Sequence, residues 1–251
     1  TYDNPAYANA KRFCRSKLKS RIYKYFEEEV NEWKEQDIYL SKIELEEGWK
    51  ITEGFFPNEY AYIHKMINSE HEQDGYLMYL IEKGMKKLIP ECDYKEAFER
   101  IEQEVTEFWY VSDIIEDRLG AYFVTISKLV EIMWDEGDSL VGVGRGSGVS
   151  SIIDYLLEIT QINPIKMPVE MPFYRFIDRE RAELPDLDLD SQSNRRRQIF
   201  LAVQRYFEKL GGEVVNCCTY GTLGAKSAIQ TACRGLGIDK EDGQAISSLV
   251  P

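Results

Sequence analysis

The sequence predicts an α/β (or α+β) domain. Three observations carry this: amphipathic helical segments recur along the chain, a short apolar run enters a glycine-dense turn and then a helix, and residues 183–190 end in PDLDLD, which alternates strictly between apolar and acidic. With 251 residues, 43% of them hydrophobic and 30% charged, the chain is long enough for one large domain or two small ones with a sizeable core.

Taken in order, residues 5–36 read as a charged amphipathic helix, and a short strand or two is expected around 38–53. GFFPN, from Gly54 to Asn58, is a turn signal. Leu77, Leu80, Ile81, Met85 and Leu88 have helical spacing closed by Pro90. Asp93 is placed to cap a second helix whose buried face is Phe98, Ile101, Val105, Phe108, Trp109 and Ser112. Gly120 is expected to break that helix, and a third, over 122–135, ends at Glu136 and Gly137. Strands follow at 139–143, 183–190 and 214–218, and helices near 149–159, 195–210 and 224–236.

Composition narrows the function classes. No apolar run approaches the length of a membrane span, and the first residues lack a signal-peptide pattern. The five cysteines (Cys14, Cys92, Cys217, Cys218, Cys233) make no CxxC pair and no zinc spacing, which fits free thiols in a reducing cytosol. His64 and His71 have no acidic or cysteine cluster around them that would suggest a metal. The net charge of −13 argues against strong nucleic-acid binding, but its distribution is uneven. Residues 141–251 carry 13 basic against 14 acidic side chains, and the first 140 carry 18 against 30.

The glycine-rich segment runs Gly142-Val143-Gly144-Arg145-Gly146-Ser147-Gly148. It matches neither a Walker A loop nor a dinucleotide fingerprint. It is a turn where backbone N–H groups can approach an anion without a Cβ in the way, with Arg145 adding a charged fork and Ser147 a hydroxyl. A tight strand-to-helix turn without a ligand is the alternative.

The run Pro185-Asp186-Leu187-Asp188-Leu189-Asp190 is the sharper signal. On a strand the three Asp share one face and the leucines the other. Same-face neighbours stand about 6.5–7 Å apart, so Asp186 and Asp188 can bracket a metal pair about 3.5–4 Å across. Asp190 is expected to be salt-bridged, with the Arg195–Arg197 run as candidate partner. A calcium loop fails, because Ser191 stands at its turn glycine and Arg197 at its closing glutamate. A solvated acidic edge strand is the alternative. A glycine-serine turn followed by Asp-x-Asp on a strand is the order found in nucleotidyltransferases.

At these residues the chain resembles the alpha subunit of bacterial DNA polymerase III, the C-family replicative polymerases. The match runs through VGVGRGSGVSSIIDYLLEITQINPIK (141–166), FYRFIDRERAELPDLDLD (173–190) and TYGTLGAKSAIQTACRGLG (219–237). ERIEQE and AYFVTISKLVEIMWDEG, within 97–137, also match; residues 1–75 match weakly. The resemblance implies a mixed-sheet, nucleotidyltransferase-like palm over 1–217 with flanking helices, and the start of a helical thumb over 218–251. It implies that Asp186 and Asp188 are two of three metal-binding catalytic aspartates, using Mg²⁺ or Mn²⁺. Gly144, Arg145, Gly146, Ser147, Arg175 and Arg181 would bind the incoming nucleotide. The implied partners are primer–template DNA and dNTP, with a sliding clamp and a proofreading subunit, all in the cytoplasm. The third carboxylate would lie beyond the thumb, so these residues alone are expected not to synthesise DNA. Ser191–Asn194 and Met167–Pro172 depart from the family pattern, which fits a divergent member such as a phage or mobile-element one. A template-independent nucleotidyltransferase and a non-catalytic polymerase-like scaffold are the competing functions.

Overall fold

The computed structural model describes residues 43–215 and 223–250. The chain divides into two compact units, Thr1–Glu213 and Val214–Pro251. The first contains helices α1 (Ala61–Ile67), α2 (Glu72–Leu88), α3 (Tyr94–Ile115), α4 (Leu119–Asp135), α5 (Ile152–Leu156) and α6 (Arg196–Lys209). The second contains α7 (Ala225–Gly235) and α8 (Lys240–Ser248). Among the described residues no helix is long and apolar enough to cross a membrane. The helix expected over 5–36 lies outside the described residues.

Helices α2, α3 and α4 form the core of the first unit, because each carries an apolar stripe at three- and four-residue spacing. Leu77, Met78, Ile81 and Met85 of α2, Ile101, Val105 and Phe108 of α3, and Leu119 and Phe123 of α4 are buried. The Phe108 and Phe123 rings stack at 4.4 Å and 9°. Helix α3 ends where Glu116 turns left-handed (φ 56°). The buried Ser112 hydroxyl then accepts from the N–H of Leu119, satisfying the start of α4.

Gly120 sits in the first turn of α4 rather than breaking a helix. Its role is close approach: a Cβ there would stand 2.2 Å from Asp74 Oδ1. Asp74 is buried at the start of α2 and pairs with Arg118 at 2.6 Å, so α2 is pinned to the corner between α3 and α4. Asp93 precedes α3 as expected but makes no side-chain cap; it pairs instead with Lys166 at 3.0 Å.

Among the described residues the expected mixed sheet is absent. The described residues hold a single antiparallel bridge, Val141 to Ser191, and otherwise helices, turns and unpaired extended chain. The expected strands at 139–143 and 183–190 do come side by side, and Gly142 N–H donates to the Asp190 carbonyl at 2.9 Å. Side chains then take the places of further ladder bonds. Leu140 N–H donates to Gln192 Oε1, and Gln192 N–H to Ser139 Oγ, each at 3.2 Å. These local acceptors compete with a ladder and stop it after one rung. On the other side Gly144 (φ 145°) and Gly146 (φ 65°) turn the chain away. Residues 43–53 form no strand, and of 214–218 only the first two are described, without strand structure.

In the second unit, α7 and α8 meet at Cys233, which is buried with its Cβ 3.1 Å from where a Cβ on Gly243 would stand. Gln230 donates to the Ser247 hydroxyl at 3.0 Å across the same contact.

Phe108 is the centre of the larger core, and Phe108→Ala is expected to cost about 3–5 kcal/mol of unfolding free energy in a denaturant titration.

Candidate functional site

The site is built where the glycine turn and the acidic run touch. Asp186, Asp188 and Asp190 are exposed, while Leu187 and Leu189 between them are half-buried against the core. Alternation therefore sorts the side chains as an extended chain should, although no ladder supports it. The run is held at its start by Tyr122 of α4, whose hydroxyl donates to the Pro185 carbonyl at 2.7 Å.

The glycines follow from this contact. A Cβ on Gly142 would stand 2.9 Å from Asp190 Cβ, and one on Gly148 would meet Leu187 Cδ2 at 2.6 Å. One on Gly146 would lie 3.9 Å from Asp188 Oδ2. The turn thus lies along the acidic run with glycine at each close approach.

Arg145 supplies the counter-charge that crowded carboxylates require. Its Nε lies 3.3 Å from Asp188 Oδ2 and its Nη1 3.4 Å from Asp190 Oδ1. Arg195 is engaged elsewhere, with Asp138 at 2.5 Å, so the expected Asp190 pairing with the 195–197 run is replaced by Arg145. A cavity of about 10 Å³, room for one water, lies beside Gly142, Gly144, Arg145, Thr160, Asp188 and Asp190. Ser147 is exposed in the one-turn 3₁₀ helix Gly146–Ser150. Arg175 is exposed at the end of a second one, Phe173–Arg175. Arg181 pairs with Glu183 at 3.3 Å rather than with the acidic run.

Three groups that sequence reasoning missed lie beneath the turn. Glu104 of α3 is fully buried and receives the N–H groups of Ile152 (2.8 Å) and Ile153 (3.1 Å), the Ser151 hydroxyl (2.8 Å) and Arg100 Nε (2.8 Å). It thereby caps α5, the helix that leaves the turn. Burial pushes its pKa up, and the Arg100 charge and the N–H donors oppose that rise. A clue was present: Glu104 falls within the Ile101, Val105, Phe108 stripe, four residues after Arg100.

The second is Asp154, fully buried in α5 with neither carboxyl oxygen hydrogen-bonded among the described residues. Oδ2 stands 3.2 Å from where a Cβ on Gly148 would be. Burial, then the nearby Glu104 charge, lifts its pKa well above the usual carboxylate range. The third is Tyr122, whose pKa is pushed up to about 12 by burial first, then by Asp154 and Asp186. Its phenol therefore lies within the field of both carboxylates.

Two exposed carboxylates are hard oxygen donors of the kind Mg²⁺ accepts while keeping waters and phosphate oxygens as its other ligands. The Arg145 guanidinium already stands as a cation on Asp188. Among the described residues no three His, Cys, Asp or Glu gather closely enough to cage a metal unaided.

The comparison with known families follows the same residues. A family model described as the bacterial DNA polymerase III alpha NTPase domain matches residues 75–251, which include the turn and the whole acidic run. The chain belongs to the bacterial DNA polymerase III alpha family. Among this family's relatives, the probable DNA polymerase YorL of Bacillus subtilis is 39% identical over 228 residues, covering 86% of this chain and 17% of its own. The DNA-directed DNA polymerase of Bacillus phage SPbeta has the same identity and coverage. The DNA polymerase III subunit alpha of Campylobacter jejuni is 30% identical over 222 residues, covering 83% of this chain and 17% of its own. The chain therefore spans less than a fifth of the length of these three relatives.

Asp154 gives the site a pH signature. With its folded pKa raised, the folded chain keeps a proton that the unfolded chain releases near about pH 4. Its contribution is complete below that pH and is lost as pH rises towards the folded pKa. Asp154→Asn is expected to melt several degrees above the parent at neutral pH, at about 2–4 °C per kcal/mol, with the difference vanishing in acid. Thermal unfolding of both chains across the pH range checks this.

Proposed function

We propose that this chain supplies the nucleotide seat and two of the metal ligands of a DNA-directed DNA polymerase, which adds dNTPs to a primer 3′ end under template guidance. The observation that carries the proposal is the contact of the glycine turn with the acidic run, bridged by Arg145. Membership of the polymerase III alpha family supports it.

In this reading Asp186 and Asp188 hold divalent metal, Mg²⁺ or Mn²⁺. When bound, such a metal pair activates the attacking hydroxyl and neutralises charge at the transferring phosphorus. The chain's own residues do the positioning that dominates phosphoryl transfer. The N–H groups of Gly144, Gly146 and Ser147, with the Ser147 hydroxyl, face the triphosphate. Arg145, balancing Asp188 and Asp190 in the free chain, turns its fork to phosphate oxygens when substrate arrives. Its present ion pairs are solvent-exposed and therefore weak, so that exchange is easy. Arg175 and Arg181 add positive charge from the segment before the acidic run. Tyr122 keeps that run in place through the Pro185 carbonyl.

The same reading assigns residues 1–217 to a palm, whose described residues are helical rather than sheet-built, and 218–251 to the start of a thumb. It makes primer–template DNA, a sliding clamp and a proofreading subunit the partners of the whole protein, acting in the cytoplasm.

The test is primer extension by the full-length polymerase carrying Asp186→Asn or Asp188→Asn. Each change removes a charged ligand from an exposed position and leaves the leucine face intact. Loss of about 4 kcal/mol of transition-state stabilisation corresponds to a rate roughly a thousandfold lower. Extension near the parental rate in either variant would overturn the reading.

A further inference from the structure

The turn and the Phe173–Arg175 segment are far apart in sequence, yet one guanidinium holds both. Arg100 Nη2 donates to the Ser150 carbonyl at 2.5 Å, at the end of the turn, and to the Met171 carbonyl at 3.0 Å. Its Nε donates to Glu104 at 2.8 Å, and the guanidinium lies 5.8 Å from the Phe173 ring centroid. Glu104 in turn holds Ser151, Ile152 and Ile153. All these bonds originate on one buried face of α3, a rigid element of the core.

We infer that Arg100 and Glu104 form a clamp that fixes the spacing between the Gly146–Ser147 turn and Arg175, and are positioning residues for the incoming nucleotide. The inference rests on the polymerase reading above. Neither side chain faces the acidic run, so neither touches substrate; they act through the backbone that does.

The chemistry required is specific to arginine. A buried ion pair by itself can often be exchanged for apolar residues without loss of stability. Here the guanidinium uses separate nitrogens, Nε for a carboxylate and Nη2 for two carbonyls from different segments. Lysine keeps the charge beside Glu104 but has no planar fork to span three acceptors. Glutamine at 104 keeps the shape but turns an N–H group towards positions that are themselves donors. Both changes release the turn without altering any group placed against the nucleotide.

The experiment uses the full-length polymerase, assayed well below the melting midpoint of every variant, with Asp188→Asn as reference. Arg100→Lys is expected to raise KM for dNTP about tenfold or more, since misplacement of a binding group by an ångström is felt strongly. The Kd for primer–template DNA is expected to stay within about twofold of the parent, because no group placed against DNA has moved. Glu104→Gln is expected to show the same split. Hydrogen exchange at the Ile152 and Ile153 amides should accelerate in Arg100→Lys, as the cap on α5 loosens. Lower melting with fewer active sites but an unchanged KM for dNTP would make the pair structural only and overturn the inference. If Asp188→Asn abolishes extension while Arg100→Lys leaves KM unchanged, the clamp alone fails. If Asp188→Asn leaves extension intact, the polymerase reading fails and the clamp with it.

Discussion

A carboxylate that stays charged away from water needs donors; Asp154 has none among the described residues, whereas Glu104 has four, one from Arg100 of its own helix and three from the start of α5. Removing one partner from such a cluster strands a buried charge, so the cluster persists or fails as a unit. Its position explains how a glycine-dense segment can lie open to solvent and still keep one shape. The conformational freedom of the glycines is restrained from below, at Ser150 to Ile153, and not by the surface residues themselves. Helix α3 thereby links the aromatic core around Phe108 to the end of the glycine turn and the start of α5.

The surface above is organised by opposite means. Arg145, Asp188 and Asp190 are all about half exposed or more, and their pairing is shielded by water and salt. Strong, dry contacts lie underneath and weak, wet ones on top. Under the proposed polymerase function, that division suits a seat that keeps its frame while its charges change partners.

The helices were legible because their apolar spacing survives any tertiary arrangement. Ile101, Val105, Phe108 and Ser112 are buried as their period requires. The sheet was not legible. Alternation in 183–190 reports an extended chain with two unlike faces, and this it has; it carries no information about a neighbour with which to form a ladder. That depended on Ser139 and Gln192, whose side chains occupy the adjoining backbone groups. Gly120 was misjudged for a related reason: its cause is Asp74, distant in sequence, and not a local break. At the site, the exposed groups carried motif signals, whereas Glu104, Asp154 and Tyr122 gain their meaning only from what folds over them.

One contact in the core reaches the site without containing any polar side chain. A Cβ on Gly84, in α2, would stand 2.2 Å from the Leu156 carbonyl oxygen, so two backbones touch where the short helix α5 ends. Any side chain at position 84 pushes on the helix whose other end holds the glycine turn. A position remote from every exposed group of the site thus bears on the shape of the turn, through nothing more than the room two backbones need.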